Sequence, residues 1–282
     1  MILQYLLLAA VVICISVQNI FRKQYNVKTQ TPSAFFFSLV STVFALLFFV
    51  ICSKFKLQLN MAIVPYAMGF AVSYGLALTG SLLAIKNGPL SITMLITSYS
   101  LVIPAFHGIF AYGDTLGLVG IIGLVLLLVS LLFINKKGDN SGMNIKWLIC
   151  VIFAFGGNGF CSVFQKMQQY AFDGAYKNEF MIISLVFCAL FMIIATVATK
   201  EKPDFKNSLA LGAGCGVANG IVNMLVMVLV GSVPSIILYP SMAAGGIVIG
   251  FLVAVCVYNE RLTRLQIVGY IMGTISVVLL NL

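Results

Sequence analysis

The chain has 282 residues, of which 61% are hydrophobic and 8% are charged, and its mean hydropathy is +1.11. This composition leaves too little polar surface to cover a water-soluble fold, so it excludes a soluble globular domain and predicts an integral membrane protein. The net charge of +9 indicates contact with anionic lipid headgroups. A nucleic-acid partner is not predicted, because the chain has no soluble basic domain.

Ten transmembrane helices joined by short loops are predicted along the chain. The longest uncharged stretch, 207–259, must cross the bilayer twice, since about 20 helical residues span a hydrocarbon core of ~30 Å. The N-terminal run lacks the basic start and the cleavage site of a signal peptide, so it is predicted to be the first helix. The predicted spans are 2–21, 32–53, 61–85, 88–111, 115–134, 147–168, 180–199, 208–230, 235–257 and 262–281.

The fifth and tenth spans have related sequences. At an offset of 146 positions, Gly123 matches Gly269 inside the spans, and Tyr112 and Asp114 just before the fifth span match Tyr258 and Glu260 before the tenth. Further matches at offsets of 143 to 145 pair Phe21 with Phe164, Lys23 with Lys166, Gly69 with Gly214, Gly75 with Gly220 and Pro89 with Pro234. Loop insertions between helices of equal length produce such small changes in offset, so the pattern indicates an internal duplication.

The duplication divides the chain into a first repeat, 1–136, and a second repeat, 145–282. Each repeat has five spans, and an odd number forces the second copy to enter the bilayer from the opposite side. The predicted fold class is therefore an all-α integral membrane protein with ten transmembrane helices arranged as two inverted five-helix repeats.

The distribution of basic residues predicts an orientation. Twelve of the 16 Lys and Arg residues fall in predicted loops after odd-numbered spans, which the positive-inside rule places in the cytoplasm, with both termini outside. These twelve are Arg22, Lys23, Lys28, Lys86, Lys136, Lys137, Lys146, Lys200, Lys202, Lys206, Arg261 and Arg264.

Two sets of motifs carry a family resemblance. They are Ala84-x-x-x-Gly88-Pro89-x-Ser91, Pro104 and Gly113-Asp114-x-Leu116 running to Gly123, and then Pro234-Ser235 and Asn259-Glu260-Arg261-Leu262-Thr263 running to Gly269. In these motifs, and over nearly its whole length, the chain resembles the drug/metabolite transporter (DMT) superfamily, specifically its ten-helix EamA-like members. The resemblance implies export or exchange of small metabolites, a central cavity lined by spans 1, 3, 4, 6, 8 and 9, and cytoplasmic termini, which is opposite to the orientation from the basic residues.

Seven side chains are candidate substrate-binding residues. Polar groups inside spans usually face the protein interior or a wet cavity, because an unpartnered polar group is costly in hydrocarbon. Asn219 and Asn223 are four residues apart and share a helical face. The alternative for the asparagines is hydrogen bonding between helices. For the tyrosines the alternative is packing, and for His107 it is a structural role, which is the commoner one for each of these residue types. The candidates are Tyr74, Tyr99, Asn158, Asn219, Asn223, Tyr239 and His107.

The charged and reactive residues bear on mechanism. All seven acidic residues lie in predicted loops or at helix starts, so no carboxylate is predicted in mid-membrane, and His107 is the only in-span alternative for carrying a proton. The seven cysteines lie in apolar runs without a CxxC pair and are predicted to be free thiols. The chain has no P-loop, catalytic triad or zinc motif, so neither an enzyme nor a cofactor or metal site is predicted.

Together these patterns predict a secondary transporter. It would move a small organic metabolite, such as an amino acid or an amine, across the plasma (inner) membrane by alternating access, in a facilitative or exchange mode. A membrane-embedded enzyme, and a passive channel or scaffold without carrier activity, are the alternatives. The predicted partners are the small-molecule substrate and the lipid bilayer, and the protein is a monomer or a homodimer.

Overall fold

The computed structural model describes residues 2–29, 33–54, 56–58, 60–88, 93, 96–97, 99–100, 102–113, 117–134, 145–235, 237–243, 245, 249 and 263–280. Helices account for all the regular structure among these residues. They are α1 (Ile2–Lys28), α2 (Ala34–Cys52), α3 (Val64–Asn87), α4 (Val102–Tyr112), α5 (Leu118–Ile134), α6 (Ile145–Ala171), α7 (Lys177–Ala198), α8 (Phe205–Val230) and α9 (Arg264–Leu280). A short 3₁₀ helix, Met61–Ile63, leads into α3, and residues 237–243 are also helical.

Six of the described helices are long and apolar enough to cross a membrane, namely α1, α2, α3, α6, α7 and α8. Helices α5 and α9 have 17 residues each, about 26 Å at 1.5 Å per residue, which is near the minimum for a span. Large apolar side chains point outward, with Phe110 85% exposed and Ile194 67% exposed. Such an apolar surface suits lipid rather than water. The chain is an all-helical, multi-pass membrane protein.

The first helix is longer than the predicted span 2–21. Helix α1 continues to Lys28, because the polar residues that end the hydrophobic run face the protein interior and do not mark the end of the helix. Arg22 and Lys23 are therefore helical and do not belong to a loop. The orientation of the termini stays a prediction, because the positive-inside rule also counts basic residues near the ends of spans.

Several predicted features lie outside the described residues. These features include much of predicted spans 4 and 9 and the residue Cys256. The same holds for the motif residues Pro89, Ser91, Asp114, Leu116 and 259–262.

Helices α3 and α6 pack closely and run antiparallel. Gly69, near the start of α3, lies against the Phe164 ring near the end of α6, whereas Gly80, near the end of α3, lies against the Ala154 backbone. A Cβ atom on Gly80 would approach the Ala154 nitrogen to 2.8 Å. Glycines therefore allow the two helix backbones to approach, as small residues do in membrane proteins.

Helices α1 and α8 form a second antiparallel pair with a related contact. Phe21, near the end of α1, packs against Gly214, near the start of α8, where a Cβ atom would come within 2.6 Å of the ring. One turn further along α1, Tyr25 accepts a 3.2 Å hydrogen bond from the Ser208 hydroxyl. The glycine and phenylalanine of this contact are the sequence matches of Gly69 and Phe164.

Helices α1 and α3 run parallel to each other. The Asn26 side chain donates to the Leu82 carbonyl at 3.3 Å near the ends of both helices, and Gln18 and Tyr74 meet at a shared partner, Asn219, about two turns earlier. Helix α2 packs against α7 and α8, and α5 packs against α9. Since α6 is antiparallel to α3, α1 and α6 point in opposite directions.

Two loop carboxylates join the connections α1–α2 and α7–α8 at one end of the bundle. Glu201 accepts hydrogen bonds of 3.1 Å from the backbone N–H groups of Phe35 and Phe36, in the first turn of α2. Asp204 caps α8 by accepting from the Asn207 N–H at 3.1 Å, and it also accepts from the Thr29 hydroxyl at 3.2 Å. Carboxylates suit helix N-termini because they pair with unsatisfied N–H groups and with the positive end of the helix dipole.

Candidate functional site

A polar cavity of about 130 Å³ lies between α1, α3, α6 and α8. A single water needs only about 10–15 Å³, whereas drug-sized ligands occupy pockets of roughly 300–1,000 Å³, so the cavity suits a small solute. Its lining residues are Ile15, Gln18, Asn19, Arg22, Tyr74, Ala77, Leu78, Ser81, Thr97, Asn158, Cys161, Ser162, Gln165, Asn219, Val222, Asn223, Val226 and Met242.

Asn219 is the centre of a hydrogen-bond network in the cavity wall. Its Oδ1 accepts from the Tyr74 hydroxyl at 2.6 Å, and its Nδ2 donates to Gln18 Oε1 at 2.9 Å. One side chain of α8 is thereby joined to both α3 and α1. All three residues are buried, so these bonds satisfy polar groups that would otherwise be costly inside the bilayer.

The network extends to α6 through a second asparagine. Asn223 Nδ2 donates to Asn219 Oδ1 at 2.6 Å, and Gln165 Nε2 donates to Asn223 Oδ1 at 2.9 Å. Asn219 and Asn223 share one face of α8, as their four-residue spacing predicts. Four helices thus meet in one chain of amide and phenol groups.

Arg22 adds a positive charge to this neutral wall. Its guanidinium donates a 3.4 Å hydrogen bond to Asn19 Oδ1 and lies near enough to the Cys215 thiol to interact with it electrostatically. No Asp or Glu is among the described lining residues. The carboxylates of Glu201 and Asp204 are engaged at the end of the bundle, as described above.

The lining residues are related in pairs by the sequence offsets. On α1, Ile15, Gln18, Asn19 and Arg22 lie 143 positions before Asn158, Cys161, Ser162 and Gln165 of α6. On α3, Tyr74, Ala77, Leu78 and Ser81 lie 145 positions before Asn219, Val222, Asn223 and Val226 of α8. Thr97 and Met242 are also 145 positions apart. The two halves therefore contribute matching positions to one cavity.

Four of the seven predicted substrate-binding residues meet in this cavity: Tyr74, Asn158, Asn219 and Asn223. Three of them are buried in the network or beside it, while Asn158 is exposed on its helix. The structure thus brings these four together, and binding of a substrate by them remains a prediction.

The other three predicted residues lie outside the described cavity lining. The Tyr239 hydroxyl donates to the Ser162 carbonyl at 3.1 Å, so this residue supports the cavity wall from behind. Tyr99 packs against an apolar cluster near Val11 and Ala105. The His107 ring lies 5.4 Å from the Tyr112 ring, and its Nδ1 atom is buried without a hydrogen-bond partner in the part of the chain that the structure describes.

The sequence interpretation missed the polar residues of α1 and Gln165 of α6. The predicted first span, 2–21, contains Gln18 and Asn19 but does not distinguish them as site residues, and Arg22 falls in the predicted loop after it. The offset that pairs Phe21 with Phe164 also pairs Arg22 with Gln165, so the repeat marks the two as equivalent positions without showing that their side chains face a cavity.

Comparisons with known proteins identify a shared fold. No protein-family model and no curated protein matches the chain. In contrast, 28 chains of solved structures match it. One of them, described only as the crystal structure of a protein, has a TM-score of 0.72 at 10% sequence identity, with 95% of each chain covered. This likeness shows a shared fold over nearly the full length of both chains. The class that fold and composition define is a multi-pass helical membrane protein.

Proposed function

We propose that the chain is a secondary transporter of the drug/metabolite transporter superfamily, of the EamA-like kind, which moves a small organic metabolite by alternating access. The observation that carries this proposal is the paired lining of the cavity, in which matching positions of 1–136 and 145–282 face each other across one polar space.

Helix directions support an inverted arrangement of the two repeats. Helices α1 and α3 belong to the first half and run parallel, and α6, the first helix of the second half, runs antiparallel to both. Two oppositely directed copies of one unit place their shared cavity on a seam, and rocking of one copy against the other opens that seam to either side of the membrane.

Reciprocal packing contacts support two alternative states of similar energy. The contact of Gly69 with Phe164 and the contact of Gly214 with Phe21 are the same interaction made once from each half. If the two halves exchange conformations, each contact takes the geometry of the other. The opposite-facing state is then built from contacts that the fold already makes.

The chemistry of the cavity suits a carrier of small polar solutes. Hydrogen-bonding amides and a phenol orient a solute without covalent chemistry. The absence of Asp and Glu from the described lining supports a facilitative or exchange mode, because carboxylates are the usual carriers of a coupling proton.

Counterflow in proteoliposomes tests the proposal. Purified protein is first screened by thermal shift against amino acids, amines, sugars and nucleosides, since a specific ligand stabilises the state that it binds. The stabilising solute is then loaded inside vesicles, and uptake of its labelled form is measured from outside. Saturable uptake that is accelerated by internal solute supports a carrier. Flux without saturation would indicate a channel, and chemical conversion of the solute would indicate an enzyme.

A further inference from the structure

Arg22 occupies a position that simple anchoring at the membrane surface does not explain. It lies six residues before the end of α1, about 9 Å from that end at 1.5 Å per residue. Its hydrogen bond goes to Asn19, one turn deeper along the helix, so the guanidinium points toward the middle of the bundle. A snorkelling arginine would extend the other way, toward the headgroups near Lys28.

The guanidinium is placed among neutral groups. Its hydrogen bond goes to the Asn19 amide oxygen, the Cys215 thiol lies within electrostatic range, and no carboxylate of the described residues pairs with it. An ionised side chain inside a membrane bundle is costly, and such residues characteristically face substrate pathways. Arg22 therefore supplies a positive charge to the cavity that no described residue neutralises there.

The repeat shows that this charge is a departure from the symmetry of the cavity. The matching position in the second half is Gln165, a shorter and neutral residue whose amide already donates to Asn223. Packing at this level of the bundle is thus compatible with an uncharged side chain. The arginine adds charge, and the geometry of two parallel N–H donors, on one side of the cavity alone.

We propose that Arg22 binds the carboxylate of a small organic acid or amino acid in the central cavity. This inference rests on the proposed transport function and narrows its substrate class. A guanidinium pairs with a carboxylate through two parallel hydrogen bonds. Gln18 lies one turn away and uses its oxygen for Asn219, so its NH₂ group remains to donate to the same anion.

Other charge types fit the cavity less well. A doubly charged phosphate would need a second cation, and Arg22 is the one cationic side chain among the described lining residues. A simple amine would be repelled by the guanidinium and would meet no described carboxylate in the lining. A monovalent carboxylate on a small body is the solute that the charge and the volume favour together.

The test compares acids with their matched amides as ligands of the purified full-length protein. The probes are acetate, lactate, L-alanine and L-serine, against acetamide, lactamide, L-alaninamide and L-serinamide. At least one acid should raise the melting temperature in a saturable manner, and its amide should not. Equal stabilisation by acid and amide, or no stabilisation by any acid, overturns the proposal.

Variants at the site assign the effect to one side chain. In R22Q, which copies the residue of the second half, the apparent affinity for the acid should fall about 10- to 100-fold, since hydrogen bonds to charged groups carry most of such binding. K28Q removes a charge from the exposed end of the same helix and should leave the affinity unchanged. R22K keeps the charge but loses the paired donors, so its affinity should be intermediate. It also serves as the test variant if R22Q does not fold. An affinity in R22Q, or in R22K where it replaces R22Q, within about twofold of wild type overturns the proposal.

Flux measurements separate this inference from the transport function. Saturable counterflow of a neutral or cationic solute that R22Q does not change would keep the transporter and refute the arginine site. If an acid binds in an Arg22-dependent manner but no flux is measured, the binding site is supported and the transport function is refuted.

Discussion

Tyr74 donates a 2.6 Å hydrogen bond to Asn219, and the two residues are 145 positions apart, the offset that pairs them in the predicted duplication. The bond thus joins the halves near the midpoints of α3 and α8. Both side chains are buried, Tyr74 at 4% exposure and Asn219 at 7%. The same hydrogen bond therefore holds α3 against α8 and forms part of the cavity wall.

Replacement of Asn219 should be the most damaging change in the network. In N219L, Tyr74, Gln18 and Asn223 each lose a hydrogen-bond partner, and buried unsatisfied groups cost about 1–3 kcal/mol. Y74F removes one hydroxyl while Asn219 Oδ1 keeps its bond from Asn223, so it should cost about 0.5–1.5 kcal/mol. Melting in detergent measures both variants. Y66F, on the same helix but outside the described lining, is the control, and N219L melting like wild type would contradict the network.

Two adjacent glycines of α6 should respond in opposite ways to the same substitution. A Cβ atom on Gly157 would lie 2.5 Å from the Ser73 carbonyl oxygen and 2.6 Å from the Ala77 nitrogen, whereas one on Gly156 would meet nothing within 4 Å. G157A should destabilise the protein by about 1–3 kcal/mol through overpacking. G156A should be neutral or stabilising by up to about 1 kcal/mol, because alanine favours helix. Equal melting temperatures for the two variants would refute the close α3–α6 contact.

The Asp204 cap should make stability depend on acid pH. Hydrogen bonds from the Asn207 side chain and backbone, and then from Thr29, hold the pKa of Asp204 below its ordinary value of 3.8. When folding lowers the pKa of a carboxyl group, the ionised group stabilises the folded protein at every pH above its pKa in the unfolded state. This stabilisation is lost as the pH falls through the pKa of the folded state. The loss is therefore expected below about pH 4. D204N keeps a capping oxygen and should flatten this part of the profile.

The measurement for the Asp204 prediction is the melting temperature between about pH 7 and pH 3, followed in wild type, D204N and D204A. D204A should be less stable across the whole range, since it removes the cap as well as the titrating group. A D204N profile as steep as that of wild type would show that the acid response arises elsewhere.

Labelling of two loops tests the inverted arrangement. Gln58 follows α2, and Lys202 follows α7, so the two occupy equivalent connections of the two repeats. The Gln58 backbone N–H donates a hydrogen bond to the Glu179 carboxylate at one end of the bundle. The Lys202 backbone carbonyl accepts a hydrogen bond from the Ser33 hydroxyl at the other end. In a cysteine-free background, Q58C and K202C should react with an impermeant thiol reagent from opposite faces of the membrane. Reaction from the same face would refute inversion.

Transport should not require a proton gradient. No carboxylate is among the described lining residues, and His107 lies outside that lining against Tyr112. Counterflow should therefore persist when the pH gradient across the vesicle is collapsed, and H107Q should behave like wild type. Strict dependence on the gradient that survives in H107Q would contradict the facilitative mode.

The sequence alone determined the membrane class, the helical fold and four of the residues that line the cavity. An uncharged run as long as 207–230 forms a helix in lipid, because a helix pairs every backbone N–H and C=O group within the segment. Asn219 and Asn223 were recognisable because a polar residue in the middle of such a run has few places to point except inward.

Only the tertiary structure decided whether the polar residues at the end of the first hydrophobic run face the cavity or lie in a loop. Gln18, Asn19 and Arg22 end a hydrophobic stretch, and hydropathy gives the same profile for a helix that stops and for one whose next turns face a polar cavity. The packing of α1 against α3 and α8 resolves this by placing those turns inside the bundle. The direction in which a side chain points depends on neighbours that are distant in sequence, which is why Arg22 became visible as a cavity residue only in three dimensions.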